Sequence, residues 1–266
     1  GALMGRPKRR YMRKHSKLTL ALAGALVAAL AIAGIAGATG FTVRAGNLIL
    51  KGDGTLTPKA LPASTLTPAK AVVSGSVKTV DGTQPPAAKE VVIDVDKNIQ
   101  LNTKGLEVCT SGKLEAQDTK SAEKACPGAI AGKGGTDVRV EFPESTPFTA
   151  HGPLVLFNGG PKLLLIHAYV NVPLPTALVT KVKIQKESKG RFGTKYVASI
   201  PTIAGGSGSV TNFSLTVNKK FSYKGKKTGY ILAKCPDGHF TNQAEAKFKD
   251  GTNLHGSVVM PCTTKR

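Results

Sequence analysis

LLLIHAYVNV, residues 163–172, sets Leu164, Ile166, Ala168, Val170 and Val172 on one parity and Leu163, Leu165, His167 and Tyr169 on the other. Successive side chains of a strand point to opposite faces, so a run that is apolar at both parities belongs in the middle of a sheet with both faces covered. His167 on such a strand reads as a hydrogen-bonded core residue rather than a ligand.

The segments around it are apolar at one parity only. Val138, Val140 and Phe142 alternate with Arg139 and Glu141, and Val182 and Ile184 with Lys181, Lys183 and Gln185. Phe213, Leu215 and Val217 alternate with Ser214 and Thr216, and Ala244, Ala246 and Phe248 with Glu245 and Lys247. Each is a strand with one wet face. Further strands are expected near residues 71–80, 90–95, 154–158, 195–201, 228–234 and 255–260. Divided by Gly and Pro turns, these segments predict an all-β fold, a β-sandwich of about ten short strands over residues 71–266. One helix is expected within it, Thr119–Ala125, with Asp118 as N-cap and Pro127 beyond its end.

Ahead of this domain the sequence changes character. Residues 1–17 hold seven basic side chains and no acid, and an uncharged, mostly Ala and Gly run follows, opening at Leu18 and closing at Thr39. That order predicts a basic cytoplasmic flank and a hydrophobic helix, either a transmembrane anchor or a cleaved signal peptide, and Ala36, Gly37 and Ala38 fit a small-x-small cleavage site. Both outcomes place the remainder outside the cytoplasm, membrane-anchored in a single pass or secreted. Residues 40–70, with three prolines and many Thr, Ser and Ala, read as a linker or an edge segment.

The formal charge of +21 is unevenly spread: residues 40–145 carry 13 basic against 12 acidic side chains, and residues 146–266 carry 17 against 4. The C-terminal half is therefore a candidate polyanion-facing surface. Cys109, Cys126, Cys235 and Cys262 form an even set without CxxC spacing, which makes zinc ligation and thioredoxin-type chemistry poor candidates. Proximity along the chain favours Cys109 with Cys126 and Cys235 with Cys262, and such bridges imply an oxidising compartment.

The stretches VIDVDKN, KGLEVC, FNGG, IPTIAGGSGS and YKGKKTGYILAKCPDGHF, taken together across residues 71–262, resemble a group of uncharacterised exported all-β proteins of high-GC Gram-positive bacteria. The resemblance implies a cell-envelope address and brings no assigned activity and no functional residues.

Four stretches carry residue types suited to chemistry. In DVDKNIQLNTKG, Asp94, Asp96 and Asn98 place oxygen ligands at positions 1, 3 and 5 of a calcium loop, but Ile99 and Gly105 stand where a glycine and a bidentate carboxylate belong. A non-standard metal site is weighed against the wet face of a strand running into a turn. AGGSGS lacks the last glycine of a nucleophile elbow and reads as a loop. KCPDGHF brings Cys235, Asp237 and His239 together, with Cys235 expected to be spent in a disulfide. NKKFSYKGKKTGY interleaves Lys219, Lys220, Lys224, Lys226 and Lys227 with Phe221, Tyr223 and Tyr230, a composition suited to anionic polymers, with alternation expected to bury Phe221 and Tyr223 under a basic hairpin tip.

The sequence thus predicts a non-catalytic cell-envelope module, structural or binding, with no cofactor. Its expected partners are anionic envelope polymers or lipid head groups, and the membrane itself if the apolar run is retained; nucleic acid is not expected. A secreted carbohydrate-active hydrolase, with a site built from scattered residues, is the alternative.

Overall fold

Alternation of inward apolar and outward polar side chains carries the chain of this computed structural model, described for residues 40–188 and 190–265, through eighteen strands. The first six are β1 (Phe41–Ala45), β2 (Leu48–Thr57), β3 (Ala60–Pro62), β4 (Thr67–Thr79), β5 (Ala88–Asp96) and β6 (Ile99–Leu101). The helix α1 (Thr119–Ala125) precedes β7 (Ile130–Val140), β8 (Phe148–Asn158), β9 (Leu163–Asn171), β10 (Pro175–Lys186), β11 (Phe192–Ser199) and β12 (Gly208–Val217). Last come β13 (Lys220–Tyr223), β14 (Lys226–Gly229), β15 (Ile231–Ala233), β16 (His239–Phe248), β17 (Asn253–Pro261) and β18 (Thr263–Lys265).

Twelve of these follow one antiparallel path, β1-β2-β4-β12-β7-β8-β9-β10-β11-β5-β16-β17. The sheet curls until its ends pack together: a Cβ on Gly256 of β17 would collide with the Phe41 ring of β1, and one on Gly54 of β2 would stand 3.4 Å from the Met260 sulfur. Where two stacked sheets were expected there is one near-closed sheet, folded on itself in a sandwich-like way. Its inner face holds the main core, including Leu56, Leu156, Leu164, Phe240, Val258 and Met260. Fully burying an aromatic such as Phe240 contributes roughly 1.5–3 kcal/mol.

The expectation of about ten strands fell short for two physical reasons. Three-residue strands such as β6 and β15 are too short to show alternation. Residues 40–70, left open as linker or edge, form β1, β2, β3 and the start of β4, so the linker alternative is corrected. Inward positions of β2 are Leu48, Leu50, Gly52, Gly54 and Leu56, and the glycines that interrupt the apolar pattern make room for neighbours: a Cβ on Gly52 would lie 2.5 Å from the Phe41 ring. The expected hydrophobic helix and its basic flank lie outside the described residues. Among the described residues no helix is long and apolar enough to cross a membrane.

β9 runs between β8 and β10, as its two-sided apolarity requires. Leu164 and Ile166 face the main core, while Leu165 packs with Val155 and Phe157 beneath a cap made by α1 and its flanks. The cap is a helix because Asp118 closes its N-terminus, accepting the Ser121 amide at 2.8 Å, a bond that holds the carboxyl below its usual range. A disulfide between Cys109 and Cys126 ties the cap, and the Cys109 amide donates to the Asn158 carbonyl at 2.9 Å. His167 is fully buried there, its Nε2 2.9 Å from the Gln117 carbonyl, and burial pushes its imidazole below the ordinary value.

The second disulfide, Cys235–Cys262, fixes the C-terminal end: Cys235 donates its amide to Pro62 at 2.8 Å, and β18 runs parallel to β3. Both bridges are of the kind that persists in oxidising compartments outside the cytoplasm.

Candidate polyanion-binding surface

β13 and β14 form a two-stranded hairpin apart from the main sheet. Its two-residue turn, Lys224 and Gly225, has φ +49° and +74°, the left-handed pair of a type I′ turn. Asn and Gly usually occupy such a turn, and a lysine there costs on the order of 1 kcal/mol. That cost sets an ammonium group at the tip, 5.6 Å from the centroid of the Tyr223 ring.

Cross-strand register sorts the side chains. Phe221 faces Thr228 and Tyr223 faces Lys226 on one side, while Lys220 faces Gly229 and Ser222 faces Lys227 on the other. The first side docks on residues 102–105, where Asn102 Nδ2 donates to Thr228 Oγ1 at 3.1 Å. The Tyr223 ring lies against Gly105, whose φ of +81° and missing side chain admit it. Tyr223 therefore departs from expectation: it is 36% exposed rather than core, because the surface beneath it is a loop with a turn at Lys104 and Gly105 and not a second sheet. Phe221 is half-buried.

Lys220, Lys224, Lys226 and Lys227 are exposed and Lys219 half-buried. Among the described residues none of the five makes an ion pair, and neither does the exposed Lys104, which sequence reading missed because it lies more than a hundred positions from the hairpin. The acid nearest to Lys104 in sequence, Glu107, accepts the Gly128 amide at 2.8 Å. Elsewhere among the described residues three lysines form ion pairs: Lys133 lies 2.7 Å from Glu123, Lys195 lies 3.0 Å from Glu187 and 3.5 Å from Asp94, and Lys247 lies 2.8 Å from Glu90. The neighbouring acids push the Lys195 and Lys247 ammonium groups above their ordinary range.

The three oxygen ligands proposed for a cation do not converge on an open position. Asp96 is fully buried, and its oxygens accept from Asn98 N and Nδ2, both at 3.0 Å, from Thr241 N at 3.0 Å and from Arg191 Nε at 3.1 Å. Asp94 points to the outer face beside Lys195. Among the described residues no cluster of three His, Cys, Asp or Glu side chains could hold a metal ion. The Asp96 carboxylate instead anchors Arg191, which reaches on to Asp237 at 3.3 Å and the His239 carbonyl at 3.1 Å.

The remaining chemical candidates are also engaged in structure. Cys235 is disulfide-bonded, and His239 Nδ1 lies 3.2 Å from the Asp237 carbonyl. Ser207, at the nucleophile position of the elbow reading, is half-buried at the end of a short 3-10 turn and is followed by the strand β12 where an elbow would need a helix. Ser209, in place of the missing glycine, is buried and donates to the Pro85 carbonyl at 2.7 Å. His151 pairs with Asp137 at 2.7 Å on the surface and holds that carboxyl low, with no nucleophile hydrogen-bonded to the ring. Comparison of the chain with protein-family models, with curated proteins and with solved structures finds no match.

Proposed function

We propose that this protein is a non-catalytic cell-envelope module that binds an anionic envelope polymer through the β13–β14 hairpin. The single observation that carries the reading is a set of exposed lysines without acidic partners, gathered with one exposed aromatic ring on a projecting hairpin. Unpaired cations attract a polyanion by releasing its counterions, and a ring beside them offers a stacking surface. Two disulfides, the basic flank with its apolar run and the resemblance to exported bacterial proteins support an extracytoplasmic address, anchored or secreted.

The test is binding of the full chain to immobilised poly-glutamate and dextran sulfate across a salt series. With four cations engaged, affinity falls about fifty-fold between roughly 50 and 200 mM salt, and replacing Lys220, Lys224, Lys226 and Lys227 together by Gln abolishes retention. Equal retention of that variant, or none by the wild type at low salt, refutes the reading. Retention by anionic vesicles alone moves it to lipid head groups.

A secreted carbohydrate-active hydrolase is the second reading, supported by one observation: the carboxylates of Asp94 and Glu245 line the same cleft. Hydrolysis by such a pair requires one acid and one base or nucleophile at a set separation. Release of reducing sugar from envelope glycans by the wild type, lost in Glu245→Gln, would establish it.

A further inference from the structure

The outer face of β5, β16 and β17 stays open to water, unlike that of β8 and β9 beneath the cap. Register pairs Asp94 with Gln243 and Gln243 with Ser257 in one row, and Val92 with Glu245 and Glu245 with His255 in the next. Alternation turns Asp94, Gln243, Glu245, His255 and Ser257 to the same side, where they line a cleft of about 300 Å³. That volume is at the small end of ligand sites, enough for a single sugar ring.

The groups lining it are unusually free. Among the described residues the side chains of Gln243, Glu245, His255 and Ser257 have no hydrogen-bond partner, and Asp94 Oδ1 is shielded from water with only Lys195, 3.5 Å away, beside it. The nearby cations are shared among an excess of acids, Lys195 between Glu187 and Asp94, and Lys247 between Glu90, at 2.8 Å, and the charge of Glu245. Two carboxylates, an amide oxygen and an imidazole make a wall dominated by acceptors, which calls for a ligand rich in donors. Charge adds that one donor should be cationic, since a protonated amine between Asp94 and Glu245 makes charge-assisted hydrogen bonds.

We propose that this cleft recognises the ring of an amino sugar, its ammonium group held by Glu245 and Asp94 and its hydroxyls by Gln243, His255 and Ser257. No Phe, Tyr or Trp side chain lines the cleft, so a single unit binds with millimolar affinity and strength comes from repetition along a glycan. The site is independent of the hairpin and stands or falls separately from it.

Ligand-observed saturation-transfer NMR tests this on the full chain in a polyoxyethylene detergent, which carries neither sugar nor charge. The probes are glucosamine, N-acetylglucosamine and methylamine. Saturable transfer to glucosamine is expected, at least fivefold weaker for N-acetylglucosamine, whose amine is uncharged, and absent for methylamine. Glu245→Gln and His255→Ala, both outward-facing, weaken glucosamine binding about tenfold, equivalent to about 1.4 kcal/mol, while the hairpin Lys→Gln variant leaves it unchanged. Three results overturn the proposal: no saturable transfer to glucosamine, equal transfer to methylamine, or equal transfer to both sugars.

Discussion

Arg191 and the hairpin lysines carry the same formal charge in two opposite settings. Arg191 sits 34% exposed at the corner clamped by Cys235–Cys262, bonded to the buried Asp96, to Asp237 and to the His239 carbonyl. Lys220, Lys224, Lys226 and Lys227 stand in water, with no ion pair among the described residues. A paired charge over a buried partner holds structure together and is expensive to break; an unpaired surface charge costs the fold little and is available to a partner. The excess of basic side chains after residue 146 is therefore not one functional patch: Arg191, Lys195 and Lys247 belong to the architecture. Lys162, Lys181, Lys183 and Lys186 are scattered on exposed positions without an ion pair among the described residues, and the hairpin gathers its unpaired lysines beside an exposed ring.

The contrast can be broken first at the clamped corner. Replacing Cys235 and Cys262 by Ala opens a loop with a sequence separation of 27 and lowers stability by about 3.5 kcal/mol in the chain-entropy account, read as a drop in the urea midpoint. Asp96→Ala leaves four donors without their acceptor and costs about 3 kcal/mol, the low end for a broken buried pair because Arg191 keeps Asp237 and some solvent. A loss below about 1 kcal/mol in that variant would mean that Asp96 is replaceable by water.

A third fate of positive charge sharpens the contrast. His167 is kept neutral by burial under the cap, with its imidazole held below its ordinary 6.5. The unfolded chain takes up a proton there before the folded chain does, so stability is complete above about pH 6.5 and falls as pH drops below it, by at most about 1.4 kcal/mol per pH unit until the folded ring protonates. Urea unfolding between neutral and mildly acidic pH should show this slope, and His167→Gln should flatten it. The smallest effect belongs to the hairpin tip: Lys224→Gly removes left-handed strain and stabilises by about 0.5 kcal/mol net of the lost ring contact, while weakening polymer retention. A destabilised Lys224→Gly protein would show that the lysine serves the fold.

Legibility in the sequence followed the range of the interactions. Asp118 and its helix, the two disulfides, and the central place of β9 were readable, because capping, close cysteine spacing and two-sided apolarity are all local patterns. β2 was not, since Gly52 and Gly54 erase its alternation, Gly52 to admit the Phe41 ring of β1 and Gly54 beside Met260 and Val258 of β17. Asp96 looked like a ligand because Arg191, the cation that occupies it, lies far along the chain. Tyr223 looked like core because nothing near it in sequence reveals Gly105 beneath it. Glu245 was readable as a wet-face residue, but His255 as its neighbour was not, because only the register of β16 and β17 sets them side by side.

The seam where Phe41 meets Gly256 has a consequence in time. The ring belongs to the first strand of the described chain, and the glycine beneath it lies in the last long one. A newly made chain must hold its first strand unpacked along that side until almost everything else has emerged, and contacts this distant are the slowest to form. A chain truncated before β17 keeps Phe41 against Gly52 of β2 but loses the glycine of the last long strand, so the ring is fully seated only once that strand has arrived.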